Sequence, residues 1–106
     1  MRIYSLGEAL IDLIPLDTDN LTFQKNPGGA PANVAVGLAR LGADSYFLGS
    51  VGDDSMGHFL KDTLHHYGVK TDHLVFDPEH KTGLVLVTNS ADGERSFEFI
   101  NSYRAD

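Results

Sequence analysis

Two glycines and an asparagine in the first third of the chain could bind a polar small molecule. Gly28 and Gly29 precede a segment with helical spacing, and Asn33 falls within its first turn. Glycines at a helix N-terminus leave the backbone N–H groups accessible, and the helix dipole favours oxygen ligands there. An asparagine amide is both donor and acceptor, which suits a ligand rich in hydroxyl groups. A tight turn followed by a helix-start asparagine that satisfies its own backbone is the alternative.

A carboxylate is the second candidate. Asp12 interrupts the apolar run 9–16, near the predicted end of the first strand. Ligands in open α/β sheets bind beyond the carboxyl ends of the strands, so this position favours a binding residue. A carboxylate that accepts two hydroxyl groups would gain about 1.5–3 kcal/mol per charged hydrogen bond. The alternative is a surface-facing residue on a half-exposed strand.

Hydrophobic spacing predicts alternating strands and helices around these residues. The predicted strands are residues 3–8 continuing over 9–16, then 21–26, 45–51, 73–76, 82–90 and 95–102, and the predicted helices are the segment ending at Gly42 and residues 58–68. Residues 17–20 are predicted as a turn from which 21–26 returns, and Asp92-Gly93 predicts a hairpin turn. This order indicates an α/β fold with a parallel sheet.

Composition and charge narrow the function classes. The 106 residues suffice for one compact domain. The net charge of −7 is scattered, which argues against a nucleic-acid partner, because such proteins cluster their cations. Without cysteine the chain has no disulfides, which fits a reducing compartment. No segment resembles a signal peptide or approaches the ~18 apolar residues of a membrane span, so we expect a cytoplasmic protein without a membrane partner.

Three segments together resemble one protein family. These are "LGEALIDLIP" at 6–15, "GGAPANVAVGLARLG" at 28–42 and "GSVGDDSMG" at 49–57. The first is similar to a strand with a substrate-binding aspartate, the second to a signature of two glycines and an asparagine, and the third to Gly-x-Val-Gly-x-Asp-x-x-Gly. In this order they resemble the ribokinase-like (PfkB) carbohydrate kinases, and within that family the fructokinases.

The resemblance implies a Rossmann-like parallel-sheet core and a small β-sheet lid, with a monosaccharide between them. The lid strands would lie at about 13–25 and 84–100. The positions that match sugar-binding residues are Asp12, Gly28, Gly29 and Asn33. Phe97 and Phe99 fall in the lid segment that covers the sugar, although the interior of the lid or a dimer contact would explain them equally well.

The segment after the last predicted strand departs from the fructokinase pattern. Fructokinases usually have Phe-Tyr-Arg-x-x-Ser-Ala-Asp where this chain has "FINSYRAD" at 99–106. Asn101 replaces the sugar-contacting arginine, and Arg104 follows three residues later. Either Arg104 substitutes for it, or the sugar preference differs. A 2-keto-3-deoxygluconate kinase is the nearest alternative enzyme.

The family's catalytic aspartate lies in a Gly-Ala-Gly-Asp motif that does not occur in this sequence, and neither does a Walker A or G-x-G-x-x-G motif. We therefore expect the catalytic base and the ATP-binding part beyond residue 106. The chain would be the N-terminal, sugar-binding part of a kinase that uses ATP and Mg²⁺, inactive alone, with a homodimer through the lid strands as a further expectation. The alternative is a non-catalytic sugar- or partner-binding module.

Acidic and histidine residues in the middle of the chain raise the question of a metal site. His58, Asp62, His65 and His66 share helical spacing, but the solvated face of the second helix is the favoured interpretation. Asp53-Asp54 could bind Mg²⁺, but capping of that helix is favoured. We therefore predict no metal site in this chain.

Overall fold

The computed structural model describes residues 1–101 with their side chains, together with the backbone of residues 104–105. Its elements in chain order are β1 (Arg2–Leu6), β2 (Leu10–Pro15), β3 (Phe23–Gly28), α1 (Ala30–Arg40), β4 (Asp44–Gly52), α2 (Ser55–His66), β5 (Leu74–Asp77), β6 (Lys81–Asn89), β7 (Arg95–Phe99) and β8 (Arg104–Ala105). Ser102, Tyr103 and Asp106 lie outside the described residues.

The strands form two sheets. In the first, called the parallel sheet, the order is β1-β4-β5 and all neighbours are parallel. In the second sheet the order is β3-β2-β6-β7, with β2 and β6 parallel and both outer pairs antiparallel, and β8 also pairs with β6. The predicted α/β fold, with a parallel-sheet core and a small additional sheet, is confirmed. The second sheet contains the segments predicted as lid strands and begins earlier, at Leu10.

The chain passes from one sheet to the other at Gly7. Its N–H donates to the carbonyl of Leu48 at 3.2 Å, and its φ of 147° is one that side-chain-bearing residues rarely adopt. A Cβ at this position would lie 2.6 Å from Cγ of Pro31. The bend ends β1 and directs β2 into the second sheet, so residues 9–16 do not continue the first strand as the sequence predicted.

The two sheets share one hydrophobic core with the helices. Its fully buried members include Ile11 of β2, Phe47 and Val51 of β4, and Leu60 and Leu64 of α2. The buried alanines of α1 let that helix pack closely against β1 and β4. Helix α2 begins at Ser55, three residues earlier than the spacing predicted, because the Asp54 carboxylate caps it by accepting from the N–H of Gly57. The predicted capping role of this Asp pair is therefore confirmed for Asp54.

The opposite face of the parallel sheet is exposed within the described part of the chain. Tyr4 is 50% exposed, Leu6 74% and Val75 59%. In the same part of the chain, neither α1 nor α2 is long and apolar enough to cross a bilayer.

Candidate functional site

Asp12 lies in the middle of β2, inside the second sheet, and not at the end of the first strand. Side chains alternate along a strand, so Asp12 faces away from Ile11, which is buried in the shared core. Asp12 pairs with Asn26 on one neighbouring strand and with Val85 on the other. Its carboxylate therefore belongs to the face of the second sheet that is turned away from the core.

Both candidate phenylalanines lie on this same face. Val85 pairs with Phe99, and Val87, two residues further along β6, pairs with Phe97. Paired residues point to the same side of a sheet, and residues two apart along one strand do so too. The register thus brings Asp12, Val85, Val87, Phe97 and Phe99 together, and we call this set the site face. The sequence left open which phenylalanine faces the site, and the structure turns both toward it.

The Asp12 carboxylate lies directly against Gly28. A Cβ at position 28 would be 2.5 Å from Oδ2 of Asp12 and 2.7 Å from Cδ1 of Leu10. Such distances are far inside van der Waals contact, so any side chain at position 28 would displace the carboxylate. Glycine at position 28 therefore leaves the Asp12 carboxylate and the Leu10 side chain in place.

The electrostatic state of Asp12 is unusual for a half-buried carboxylate. Among the residues that the structure describes, it has no hydrogen-bond or salt-bridge partner, and burial raises the pKa of its carboxyl above the ordinary value. The carboxylate has lost part of its hydration without gaining a hydrogen bond, which costs free energy. A ligand that donates hydrogen bonds to it would recover that free energy. Asp12 is thus an available acceptor on an otherwise largely apolar face.

Gly29 is the N-cap of α1 and adopts a φ of 93°. A Cβ there would lie 2.8 Å from the carbonyl oxygen of Glu8. No side chain caps this helix, and its first turn contains no acidic residue, so the helix dipole at its N-terminus is not neutralised locally. Gly28 is buried and Gly29 is partly buried, and the predicted binding role of this helix start stays a prediction.

Asn33 lies one turn into α1, and its backbone N–H donates to the carbonyl of Gly29 at 3.1 Å. Its side chain is exposed and makes no hydrogen bond to the described residues, so the predicted alternative of a self-satisfied helix-start residue is not observed. A cavity of about 230 Å³ between α1, β3 and the end of α2 is lined by Asn33 and by Asn26, the strand partner of Asp12. The structure therefore brings Asp12 and Gly28 into direct contact, whereas Asn33 lines a cavity to which neither of them contributes.

The phenylalanines border a separate cavity. It measures about 230 Å³ and is lined by Val85, Phe97, Glu98 and Phe99. Phe97 is 68% exposed and Phe99 46%. Small-molecule sites typically measure ~300–1,000 Å³, so this cavity is smaller than a complete site. It would form one side of a larger one. Val85 carries no signal in the sequence, because an apolar residue in an apolar strand is typical of any core.

Asn101 and Arg104 belong to the segment 99–106, which departs from the fructokinase pattern, and they lie at different places along the second sheet. The Asn101 amide donates to the carbonyl of Thr82 at 2.6 Å and accepts from the N–H of Leu84 at 3.1 Å. Its side chain is thus held on the backbone of β6. Arg104 pairs with Lys81 through β8, and only its backbone is described. The predicted role of both residues in sugar binding stays a prediction.

Two of the residues considered for a metal site, His58 and Asp53, contact each other. The His58 ring lies 3.0 Å from the Asp53 carboxylate and stacks on Phe76 with ring centroids 4.2 Å apart. Within the described residues, no three His, Asp or Glu side chains gather in a way that could hold a metal ion.

Comparisons with known proteins place this geometry in a family. Residues 1–106 match the model of the pfkB family carbohydrate kinases. A fructokinase from Vibrio alginolyticus is 47% identical over 105 residues, covering 99% of this chain and 34% of that protein. The apo crystal structure of fructokinase from Vibrio cholerae matches with a TM-score of 0.92 at 47% identity, covering 99% of this chain and 35% of that one.

Two further structures contain ligands. A double mutant of the Vibrio cholerae fructokinase, with fructose, ADP and a potassium ion bound, matches at a TM-score of 0.86 and 48% identity, covering 99% of this chain and 33% of that one. Fructokinase from Xylella fastidiosa with bound ATP matches at 0.88 and 45%, covering 99% and 32%. The chain spans about a third of the length of the relatives it matches. By its family match over all of its residues, this chain belongs to the pfkB family of carbohydrate kinases.

Proposed function

We propose that the complete protein transfers the γ-phosphate of ATP to a hydroxyl group of fructose, and that this chain supplies the sugar-binding half. The observation that carries the proposal is the Asp12 carboxylate, held against Gly28 and without a partner among the described residues. A sugar offers the hydroxyl donors that such a carboxylate lacks. The names of the similar proteins, and the fructose in one of the structures, support fructose as the sugar.

The remaining candidates complete the site around the carboxylate. Gly28 and Gly29 would let the sugar approach the start of α1, and the exposed Asn33 amide would bind a further hydroxyl group. Phe97 and Phe99 would cover the sugar from the second sheet, which would act as the lid and exclude water from the transferred phosphoryl group. Asn101 or Arg104 would contact the sugar where fructokinases usually have an arginine.

The catalytic base and the nucleotide site would lie outside residues 1–106. Loss of a positioned base costs about 10²–10⁴-fold in rate, and phosphoryl transfer depends on positioning and on stabilisation of charge. Bound MgATP would supply the phosphoryl group and neutralise its developing charge. This chain's residues would hold the sugar, so we expect it to bind fructose and to have no kinase activity by itself.

A second copy of the chain is the proposed partner. β7 forms one edge of the second sheet, and all five of its residues are exposed. Unpaired backbone groups at an exposed strand edge favour pairing with another chain. We therefore include a homodimer through the strands of the second sheet in the proposal.

The test of the sugar site compares two carboxylates of the same sequence region. Asp12→Asn removes the charge on the site face, whereas Asp19→Asn removes one from an exposed turn. We expect Asp12→Asn to weaken fructose binding, measured by calorimetric titration, by about 10- to 150-fold, the equivalent of 1.5–3 kcal/mol. Asp19→Asn should bind like the wild type. Equal affinities in the two variants would refute the assignment.

A second pair of variants tests the contact itself. Gly28→Ala places a methyl group where the Asp12 carboxylate lies, and we expect fructose binding to weaken although both charge and hydroxyl partners are retained. Gly37→Ala is the matched control, because a Cβ there meets nothing within 4 Å, and alanine in a helix should stabilise the fold by roughly 0.5–1 kcal/mol.

If the complete protein binds fructose but does not phosphorylate it with ATP, a sugar-binding module replaces the kinase.

A further inference from the structure

Thr82, the second residue of β6, has every polar group engaged. It is 1% exposed. Its hydroxyl donates to Oδ1 of Asp54 at 2.7 Å and accepts from the N–H of Gly52 at 3.0 Å. Its backbone N–H donates to Oδ2 of Asp54 at 3.0 Å, and its carbonyl accepts from the Asn101 amide at 2.6 Å.

These contacts join elements that belong to different sheets. Gly52 is the last residue of β4 in the parallel sheet, and Asp54 is the N-cap of α2. Thr82 belongs to β6 of the second sheet, and Asn101 follows β7 of that same sheet. Since β4 and β6 do not pair as strands, the hydrogen bonds of Thr82 connect the parallel sheet directly to the second sheet. We call the four residues Gly52, Asp54, Thr82 and Asn101 the joint.

The joint has little room to move. A Cβ at Gly57, in the first turn of α2, would overlap the carbonyl oxygen of Gly52 and lie 3.0 Å from the Thr82 hydroxyl. A Cβ at Gly52 would lie 2.5 Å from both the Asp54 carboxylate and the Thr82 nitrogen. Close packing of this kind transmits a displacement instead of absorbing it.

The charge of Asp54 adds to this rigidity. Burial alone would raise the pKa of Asp54, but hydrogen bonds from the Thr82 hydroxyl, the Thr82 N–H and the Gly57 N–H outweigh burial and hold that pKa below its ordinary value. The carboxylate is therefore ionised at neutral pH, and its hydrogen bonds are charge-assisted ones.

We propose that Thr82 is a positioning residue that fixes the second sheet against the parallel sheet and so holds the site face over the sugar. Val85 and Val87 lie three and five residues further along β6, and their strand partners are Asp12, Phe99 and Phe97. A rotation of β6 at Thr82 would displace all of them together. The proposal rests on the proposed function, because it assigns the joint a part in sugar binding.

The kinetic test uses Thr82→Val and Thr82→Ser in the complete protein. Valine has the shape of threonine but neither donates to Asp54 nor accepts from Gly52, whereas serine retains the hydroxyl. A misplacement of about 1 Å can cost up to ~10²-fold in rate, so we expect Thr82→Val to lower kcat/KM for fructose by about 10- to 100-fold. The loss should appear as a higher KM for fructose with an unchanged KM for ATP, and Thr82→Ser should restore the wild-type values.

A distance measurement tests the joint without reference to the sugar. Residues 1–106 contain no cysteine, so Ser96→Cys in β7 and Asp62→Cys in α2, both exposed, provide a pair of spin-label sites once any cysteine elsewhere in the complete protein is replaced. We expect Thr82→Val to shift or broaden the distribution of distances between the labels, and Thr82→Ser to leave it as in the parent. Asn101→Ala, which removes the hydrogen bonds to Thr82 and Leu84, should broaden it too if Thr82→Val fails to fold.

The outcomes separate this proposal from the proposed function. A Thr82→Val protein that melts earlier but keeps both the distance distribution and the KM for fructose would overturn the positioning role. A changed distribution in Thr82→Val, together with phosphorylation of a sugar other than fructose by the complete protein, would confirm the joint and refute fructose. A changed distribution with unchanged sugar kinetics would confine Thr82 to the fold and overturn its part in the site.

Discussion

At the scale of single residues, the raised pKa of Asp12 predicts that the proposed fructose binding depends on pH. In the proposed site the carboxylate form would accept the sugar hydroxyls, so we expect affinity to fall as the pH drops through a value above the ordinary ~4 of an aspartate. Calorimetric titrations from about pH 7 down to about pH 4 measure this, and Asp12→Asn should remove the dependence on this group. A dependence that persists unchanged in Asp12→Asn would assign it to another residue.

The raised pKa of Asp12 also makes the free energy of unfolding depend on pH, in the direction opposite to that expected for fructose binding. A carboxyl whose pKa is raised by folding binds more protons in the folded state than in the unfolded state. The free energy of unfolding therefore falls as pH rises through the interval between the unfolded pKa and the higher folded one. At neutral pH the partly buried charge of Asp12 therefore lowers the free energy of unfolding, as expected of a carboxylate whose proposed role is binding.

Some site residues could be predicted from the sequence and others could not, for a physical reason. Asp12 and the glycine pair stand out because a carboxylate in an apolar run and a Gly-Gly before a helix need a local explanation. Val85 and Thr82 do not stand out, because the role of Val85 comes from its strand register and that of Thr82 from contacts with residues 28 and 30 positions away along the chain. Such pairings depend on how strands align, which a single sequence does not encode locally.

At the scale of elements, helix α2 depends on its N-terminal aspartate. Asp54→Ala removes the cap and also the acceptor of the Thr82 hydroxyl and N–H. We expect a loss of about 0.5–2 kcal/mol for the cap, with up to ~1–3 kcal/mol more for the buried donor left unpaired, measured by urea unfolding. The exposed neighbour Asp53 is the matched control, and Asp53→Ala should cost less than ~1 kcal/mol because its contact with the His58 ring is exposed to solvent.

The difference in the free energy of unfolding between the wild type and Asp54→Ala should depend on pH. The folded pKa of Asp54 is lowered, so its contribution is present above the unfolded pKa and is lost as pH falls through the folded value. The stability gap between the wild type and Asp54→Ala should therefore narrow on acidification. A gap that stayed constant down to about pH 2 would show that the carboxylate charge contributes nothing.

Element types followed from the sequence more readily than sheet membership did. Periodicity and turn residues located the strands, both helices and the ribbon of β2 and β3. The sequence pattern did not predict that β1 and β2 belong to different sheets, because the bend at Gly7 is set by a hydrogen bond to Leu48 and by the nearby Pro31 ring. The early start of α2 was missed because a glycine inside a helix lowers its apparent propensity. Gly57 is nevertheless needed there for space.

At the scale of the whole molecule, two apolar surfaces remain exposed within the described residues. One is the outer face of the parallel sheet, with Tyr4, Leu6 and Val75, and the other is the part of the site face that Phe97 and Phe99 form. Parallel sheets are normally covered on both faces. Because the relatives are about three times longer, we expect the remainder of the complete protein to cover the first surface. The second surface carries the proposed sugar site and includes β7, which lies at one edge of the second sheet.

The proposed homodimer distinguishes these surfaces by experiment. Phe97→Lys places a charge on the exposed edge strand, whereas Leu41→Lys places one at the end of α1, where the leucine is 86% exposed. Lysine on an edge strand opposes pairing with another chain, so we expect Phe97→Lys to shift the complete protein from dimer to monomer in sedimentation velocity. Leu41→Lys should sediment like the wild type. If Phe97→Lys also remained dimeric, the copies would associate elsewhere and β7 would be free to serve the sugar alone.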